Sequence, residues 1–166
     1  MFANENIYDD YVAQAETDYG VPASIIKAVI GEESSFSTRQ QDQYREEPDI
    51  SDASYGPMQI LFRTAVKMGF PNDPTRYMEL MKPEVNIPLG TAVLREALDR
   101  MAAKGQVDIG DVYAYYNAGN VYKDDQGRYT NSKGNPNVDA RVRRFFPIYQ
   151  YFFDLEMKGT LLLKKA

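Results

Sequence analysis

Carboxyl, amine and phenol groups are the side chains that could move protons in this chain of 166 residues. It carries 24 acidic residues and 13 Tyr, but no His and no Cys. A Ser-His-Asp triad, an imidazole base, a cysteine nucleophile and a zinc site built from thiolates or imidazoles are therefore excluded. An enzyme of this composition must use a carboxyl, Lys or Tyr for proton transfer. Carboxylate oxygens could still bind a hard cation, but we predict neither a metal nor a cofactor.

Glu33 is the acid whose position is unusual, because it falls on the apolar face of a predicted helix. With residues placed about 100° apart around the helix axis, Glu33 lies inside the apolar arc. Its neighbour Glu32 lies on the flank and is expected to reach water. Burial and the C-terminal end of a helix both disfavour a charged carboxyl, which suits a general acid. The alternative is a structural ion pair between Glu33 and one of three late arginines, Arg141, Arg143 or Arg144.

Apolar residues recur at helical spacing over most of the chain, and no stretch alternates as a strand would. The fold class is therefore predicted to be mainly α, as a single domain over residues 1–166 with no repeat or linker. Two polar stretches, residues 38–54 and 120–137, are expected to be loops that rim a cleft. The helices are expected at roughly residues 7–19, 22–34, 63–68, 88–103, 109–117 and 138–157.

The charge balance argues against a nucleic-acid partner. A net charge of −5 and a pI of about 4.8 leave no broad basic footprint, and they predict no long-range attraction of an anionic polymer. Residues 1–16 are acidic and match neither a signal peptide nor a membrane span. We therefore expect no integral membrane segment, and a protein that stays where it is made, is exported by other means, or has had a leader trimmed away.

Four segments resemble, in the right order, the motifs of one enzyme family. Residues 30–36 (IGEESSF) resemble its "E-S-x-F" motif, and residues 55–60 (YGPMQI) its "G-x-M-Q-I" segment. Asn86 and Ile87 with Gly90 are similar to its "N-I-x-x-G" helix start, and residues 114–119 (AYYNAG) to its "A-Y-N-A-G" motif. Over about residues 20–157 the chain resembles the lytic transglycosylase domain of the soluble-lytic-transglycosylase type, which is related to goose-type lysozyme.

The resemblance implies a lysozyme-like α fold with a cleft between helices and a peptidoglycan glycan strand as the partner. The family cleaves the β-1,4 bond between N-acetylmuramic acid and N-acetylglucosamine without water and leaves a 1,6-anhydro sugar. On this reading Glu33 is the catalytic residue, acting first as acid and then as base, and the Tyr116 hydroxyl would orient it. The expected substrate-binding residues are Ser34, Met58, Gln59, Tyr115, Tyr116 and Asn117.

The chain also departs from the family pattern. Pro57 replaces a small residue or Leu, and residues 137–142 lack the acid, Thr and Tyr of the family's "E-T-x-x-Y-V" run. The loop over residues 120–137 is longer than usual and is expected to reshape one subsite. We expect a monomer that acts on the cell wall or in the periplasm, either phage-encoded (an endolysin or virion-associated enzyme) or a trimmed bacterial enzyme.

Two other functions remain open from the sequence. A goose-type lysozyme would hydrolyse the same bond with a second carboxylate positioning water, for which Asp49 and Asp52 are the candidates. A non-catalytic glycan-binding or structural module would keep the groove without using the acid. Because the proposed substrate is itself anionic, we expect recognition to depend on hydrogen bonds and stacking rather than on attraction between charges.

Overall fold

The computed structural model describes residues 1–39, 44–45 and 52–162. These residues are mainly helical, which confirms the predicted fold class of a lysozyme-like α domain. The helices are α1 (Asp9–Tyr19), α2 (Ala23–Ser34), α3 (Phe62–Lys67), a 3-10 helix (Pro74–Met81), α4 (Pro83–Ala103), α5 (Ile109–Ala118) and α6 (Asn137–Met157).

The helix predictions agree with the structure except at α4 and at the 3-10 helix. α4 begins at Pro83 rather than at Pro88, because a proline fits the first turn, where its missing N–H is not needed. Pro88 then lies inside the helix and leaves one backbone hydrogen bond unmade. The 3-10 helix was not predicted; it begins after Asp73, whose side chain accepts a hydrogen bond from Thr75 N at 3.0 Å.

Short strands border the helices where the sequence predicted loops. β1 (Tyr44–Arg45), β2 (Ser54–Tyr55) and β3 (Ile60–Leu61) form an antiparallel sheet in that order. A hairpin of β4 (Tyr122–Lys123) and β5 (Tyr129–Thr130) lies within the second polar stretch. Each strand has two residues, too few to produce a recognisable alternation. The rest of the first polar stretch, residues 40–43 and 46–51, lies outside the described residues.

α2 is the central helix of the fold, and it is enclosed on all sides. Eleven of its twelve residues are buried, with α6 as its principal packing partner. Gly31 permits this close approach, since a Cβ there would come within 2.9 Å of Ile148 and 3.0 Å of Phe2. The buried ion pair between Lys27 and Asp9, at 2.7 Å, ties α2 to α1. A helix enclosed in this way buries the side chains near its C-terminal end, whatever their polarity.

Candidate active site

A cavity of about 880 Å³ opens at the C-terminal ends of α2 and α5 and is closed on another side by the segment after β5. Its volume lies in the range of small-molecule and sugar sites. Of the seven predicted site residues, five line it: Glu33, Gln59, Tyr115, Tyr116 and Asn117. Ser34 and Met58 are buried nearby but do not line it.

Both carboxylate oxygens of Glu33 are held by groups from other helices. The Tyr113 hydroxyl on α5 donates to Oε1 at 2.8 Å, and Arg141 Nη2 on α6 donates to Oε2 in a short ion pair. The residue is 5% exposed. The structure therefore combines two features that the sequence offered as alternatives, because Glu33 pairs with a late arginine and also faces a cavity.

Tyr113 is the phenol that contacts the Glu33 carboxyl, and sequence reasoning missed it. Its ring stacks on Phe145 at 4.3 Å with the planes nearly parallel. Burial, and then the negative charge of Glu33, hold the pKa of the Tyr113 phenol well above its usual value, so it stays protonated and remains a donor. The available signal was spacing, since Tyr113 lies one helical turn before Tyr116 on the same face.

The Tyr116 hydroxyl was expected to orient Glu33, but it donates to the carbonyl oxygen of Met58 at 2.7 Å. One turn along α5 carries its ring from the carboxyl to the turn that precedes β3. The two phenols remain neighbours, with ring centroids 6.4 Å apart. Tyr116 therefore supports the other side of the cavity, while Tyr113 supports Glu33.

The expectation that Glu32 reaches water is wrong. Its side chain is only 6% exposed, and it pairs with Arg144 at 2.8 Å and with Arg141 Nε at 3.8 Å. Burial raises the pKa of this carboxyl more than the two arginines lower it. Glu32 was expected at the surface because an amphipathic helix has one side that faces solvent. In the structure α6 covers the flank of α2 on which Glu32 lies.

Gln59 lies in a strained turn and has an acceptor that no described residue uses. Its φ of +51° is in the left-handed region, which costs free energy for a residue other than glycine. Its main-chain N–H and its side-chain Nε2 both donate to the carbonyl oxygen of Gly56, at 3.1 and 3.0 Å. The Oε1 atom is buried at the cavity without a hydrogen-bond partner among the described residues. An orphaned acceptor of this kind suits an N–H donor of a bound ligand.

Asn86, on α4, fixes the main chain of this turn. Its Oδ1 accepts from Met58 N at 2.8 Å, and its Nδ2 donates to the carbonyl oxygens of Tyr55 and Leu80, each at 2.8 Å. The Met58 side chain packs against Gly90, where a Cβ would lie 2.5 Å from Met58 Sδ. The Asn and Gly of the "N-I-x-x-G" pattern therefore shape the turn that presents Gln59.

Of the remaining predicted substrate-binding residues, two form hydrogen bonds within the protein and one does not among the described residues. The Ser34 hydroxyl donates to the carbonyl oxygen of Ile30 at 3.2 Å, within its own helix. The Tyr115 hydroxyl donates to Glu96 at 2.8 Å. The Asn117 side chain lines the cavity, is partly exposed and makes no hydrogen bond to a described residue. Of these three, Asn117 is the one whose polar group remains available.

The described residues that line the cavity carry a net positive charge, although the chain is net negative. Among the described residues its charged lining comprises four cations and two acids: Arg63, Lys67, Lys133, Arg141, Glu33 and Glu96. This local excess differs from the overall charge of −5, so the expectation that charge gives no help to an anionic ligand does not apply within the cavity. In the ranges that the structure describes, no three carboxylates cluster as a metal site would require.

Neither of the two acids predicted to position water in a lysozyme reaction, Asp49 and Asp52, is among the described residues that line the cavity. Asp52 is half exposed and forms a 2.6 Å ion pair with Arg63, which itself lines the cavity. Asp49 lies outside the described residues. Among the described residues, the acid that lines the cavity besides Glu33 is Glu96, which accepts hydrogen bonds from Tyr115, Lys67 and Arg100. Burial raises the pKa of Glu96, but these three donors outweigh burial and keep the pKa below its usual value, so Glu96 stays ionised.

A lysozyme-like helical domain that holds a buried carboxyl at a cavity of this size is typical of enzymes that cleave glycans. The family model described as the transglycosylase SLT domain matches residues 10–138, which is more than half of the chain. The chain belongs to this family. The family implies transglycosylase-type cleavage of peptidoglycan glycan. A search of curated protein sequences finds no match to the chain. None of the helices in the described ranges is long and apolar enough to cross a membrane.

Proposed function

We propose that this protein is a peptidoglycan lytic transglycosylase, that it cleaves the β-1,4 bond between N-acetylmuramic acid and N-acetylglucosamine, and that Glu33 is its catalytic residue. The observation that supports the proposal is the Glu33 carboxyl itself, which is buried, held at both oxygens and placed at the cavity. A carboxyl fixed in this way is positioned for proton transfer to a bound glycan.

The reaction needs one proton carrier that works twice. Protonated Glu33 gives its proton to the glycosidic oxygen, and the C1–O bond breaks with its electron pair on the leaving sugar. The substrate's own N-acetyl oxygen stabilises the positive charge that develops at C1. Ionised Glu33 then removes the proton from the muramyl C6 hydroxyl as that oxygen bonds to C1. No water is consumed, and Glu33 ends protonated as it began.

Glu96, the second carboxyl that the described residues bring to the cavity, is unsuited to a hydrolytic role, and this favours a transglycosylase over a lysozyme. Glu96 is engaged by a phenol and two cations, so it is poorly placed to activate a water molecule. A hydrolase of the inverting type needs a second carboxylate that is available as a base. The transglycosylase reaction has no such requirement.

The acetamido group of the sugar has matching partners in Gln59 and Asn117. The orphaned Oε1 of Gln59 would accept a hydrogen bond from the acetamido N–H. The Asn117 amide can both donate and accept at the same cavity. On this proposal the chain acts as one catalytic domain, as a monomer and without a cofactor, on peptidoglycan in the cell wall or the periplasm.

Mass analysis of the fragments released from purified peptidoglycan tests the proposal. We expect fragments that end in 1,6-anhydro-N-acetylmuramic acid, lighter by one water than the reducing-end product. Reducing ends would contradict the transglycosylase reaction and would favour a lysozyme in which Asp49 or Asp52 assists. Binding of glycan with no fragment released would indicate a non-catalytic module.

A further inference from the structure

Arg141 is the residue at this site that neither the motifs nor the family match assigns. It lies three residues beyond the matched range, on the first turns of α6. Its side chain is 22% exposed at the cavity, and of its five N–H donors the structure uses one, from Nη2 to Glu33. Its Nε is buried without a hydrogen bond, since Glu32 Oε1 is 3.8 Å away. The guanidinium is therefore less than fully satisfied by the protein.

The pairing of Arg141 with Glu33 conflicts with the first step of the proposed reaction. An adjacent cation favours the charged form of a carboxyl, whereas a general acid must hold a proton. A buried carboxylate that loses its cation without replacement also strongly destabilises the folded protein. The conflict disappears if Arg141 exchanges Glu33 for another anion as the substrate binds.

Cationic residues that line the cavity could bind such an anion. Lys133 lies in the same lining and forms no ion pair with an acid among the described residues. With Arg141, Arg63 and Lys67 it gives the cavity its positive excess. Arg63 and Lys67 are paired with Asp52 and Glu96. Arg141 is paired with Glu33 but keeps unused N–H groups at the cavity, so that these groups and Lys133 are the donors available to a ligand. A planar guanidinium binds a carboxylate through two parallel hydrogen bonds.

We propose that Arg141 binds a carboxylate of the glycan strand and that this contact both selects acidic glycan and releases Glu33 for protonation. The inference rests on the proposed function, because it concerns the substrate of the same site. The carboxylate has two sources in this polymer, the lactyl group of the muramyl sugar where the peptide is absent, or an acidic residue of the attached peptide. Neutral glycan has neither carboxylate, so the ion pair between Arg141 and Glu33 would persist when it binds.

Binding to a variant that cannot cleave tests the contact apart from catalysis. Glu33→Gln removes the competing carboxylate, so calorimetric titration should show peptide-free acidic strands binding about tenfold or more tightly than the same strands after methyl esterification. The double variant Glu33→Gln/Arg141→Gln should lose this preference. The matched control is Glu33→Gln/Arg143→Gln, which changes an exposed arginine of the same helix that pairs with Asp139 and should keep the preference.

A ratio of two affinities on one variant does not depend on how much of that variant is folded. A structural role of Arg141 alone would therefore leave the preference for carboxylate unchanged. Peptide-bearing strands, with and without esterification, form a second arm that identifies the source of the carboxylate. Equal binding of acidic and esterified strands in both arms would overturn the proposal, as would a preference that persists without Arg141.

Cleavage by the wild-type protein separates the two proposals. Anhydro products formed equally fast from acidic and esterified strands would leave the transglycosylase proposal standing and reject the role of Arg141. A preference for carboxylate in the binding titration, with no cleavage of any strand, would support the contact with Arg141 and reject the transglycosylase proposal.

Discussion

The two sides of the cavity are built from different interactions. Around Glu33, charged groups and a phenol from three helices meet side chain to side chain. Around Gln59, neutral groups hold main-chain atoms, with Asn86 and Tyr116 bonded to the peptide groups of the turn. A side-chain pair can exchange a partner when a ligand arrives, whereas a turn bonded through its backbone keeps its shape. We infer that proton transfer and carboxylate binding depend on the adaptable side, and binding of the acetamido group on the rigid one.

The largest effect expected is the loss of cleavage in Glu33→Gln, which removes the proton carrier and keeps the shape. The kcat for peptidoglycan should fall by about 10²–10⁴-fold, measured as anhydro ends released over time. Glu32→Gln is the matched control, because it changes the adjacent acid, which does not line the cavity. Similar losses in both variants would contradict the assignment of the chemistry to Glu33.

On the rigid side, Asn86→Ala should give the largest loss of stability. It leaves the Tyr55 and Leu80 carbonyls and the Met58 N–H unpaired in the interior. At about 1–3 kcal/mol for a buried polar group left unsatisfied, the free energy of unfolding should fall by roughly 3 kcal/mol or more. Denaturant unfolding measures this, with Asn117→Ala expected within about 0.5 kcal/mol of wild type. Equal stabilities would show that the turn does not depend on Asn86.

Alkaline pH should weaken the fold through Tyr113 and Tyr116. Burial first, and then the charge of Glu33, hold the pKa values of both phenols well above 10.0. The unfolded chain releases these protons at about pH 10 while the folded chain keeps them, so stability is complete below that pH and falls above it. Each phenol should contribute up to about 1.4 kcal/mol per pH unit. Unfolding free energies measured on either side of pH 10 should decline less steeply in Tyr113→Phe/Tyr116→Phe, and an unchanged slope would contradict the prediction.

The smallest effects should separate the two phenols from each other. Each Tyr→Phe change removes one hydrogen bond and should cost about 1 kcal/mol of stability. Tyr113→Phe loosens the Glu33 carboxyl and should lower kcat several-fold, whereas Tyr116→Phe loosens the turn and should chiefly raise KM. Steady-state kinetics on soluble glycan strands would show the split. The same change in both variants would mean that the two sides of the cavity do not act separately.

The sequence predicted the helices and the position of Glu33 because both depend on local patterns. Helical periodicity located α1, α2, α3, α5 and α6 within a few residues, and it placed Glu33 on the apolar face where the structure buries it. Its catalytic role stays a prediction. The partners of Glu33 were harder to predict, because Tyr113 and Arg141 are 80 and 108 residues away in sequence. Arg141 was one of three candidate arginines, and Tyr113 was missed. The left-handed backbone of Gln59 also escaped prediction. It lies in a turn in which the main chain of the neighbouring Met58 is held by Asn86 and Tyr116, both distant in sequence.

Enclosure of α2 has a consequence for synthesis of the protein. The helix that carries Glu33 leaves the ribosome before α6, which covers it, supplies Arg141 and is the last of the described helices. A nascent or truncated chain that stops before residue 137 therefore holds the acid without its enclosure or its guanidinium. On the proposed function, cleavage of glycan therefore requires synthesis of the chain through α6.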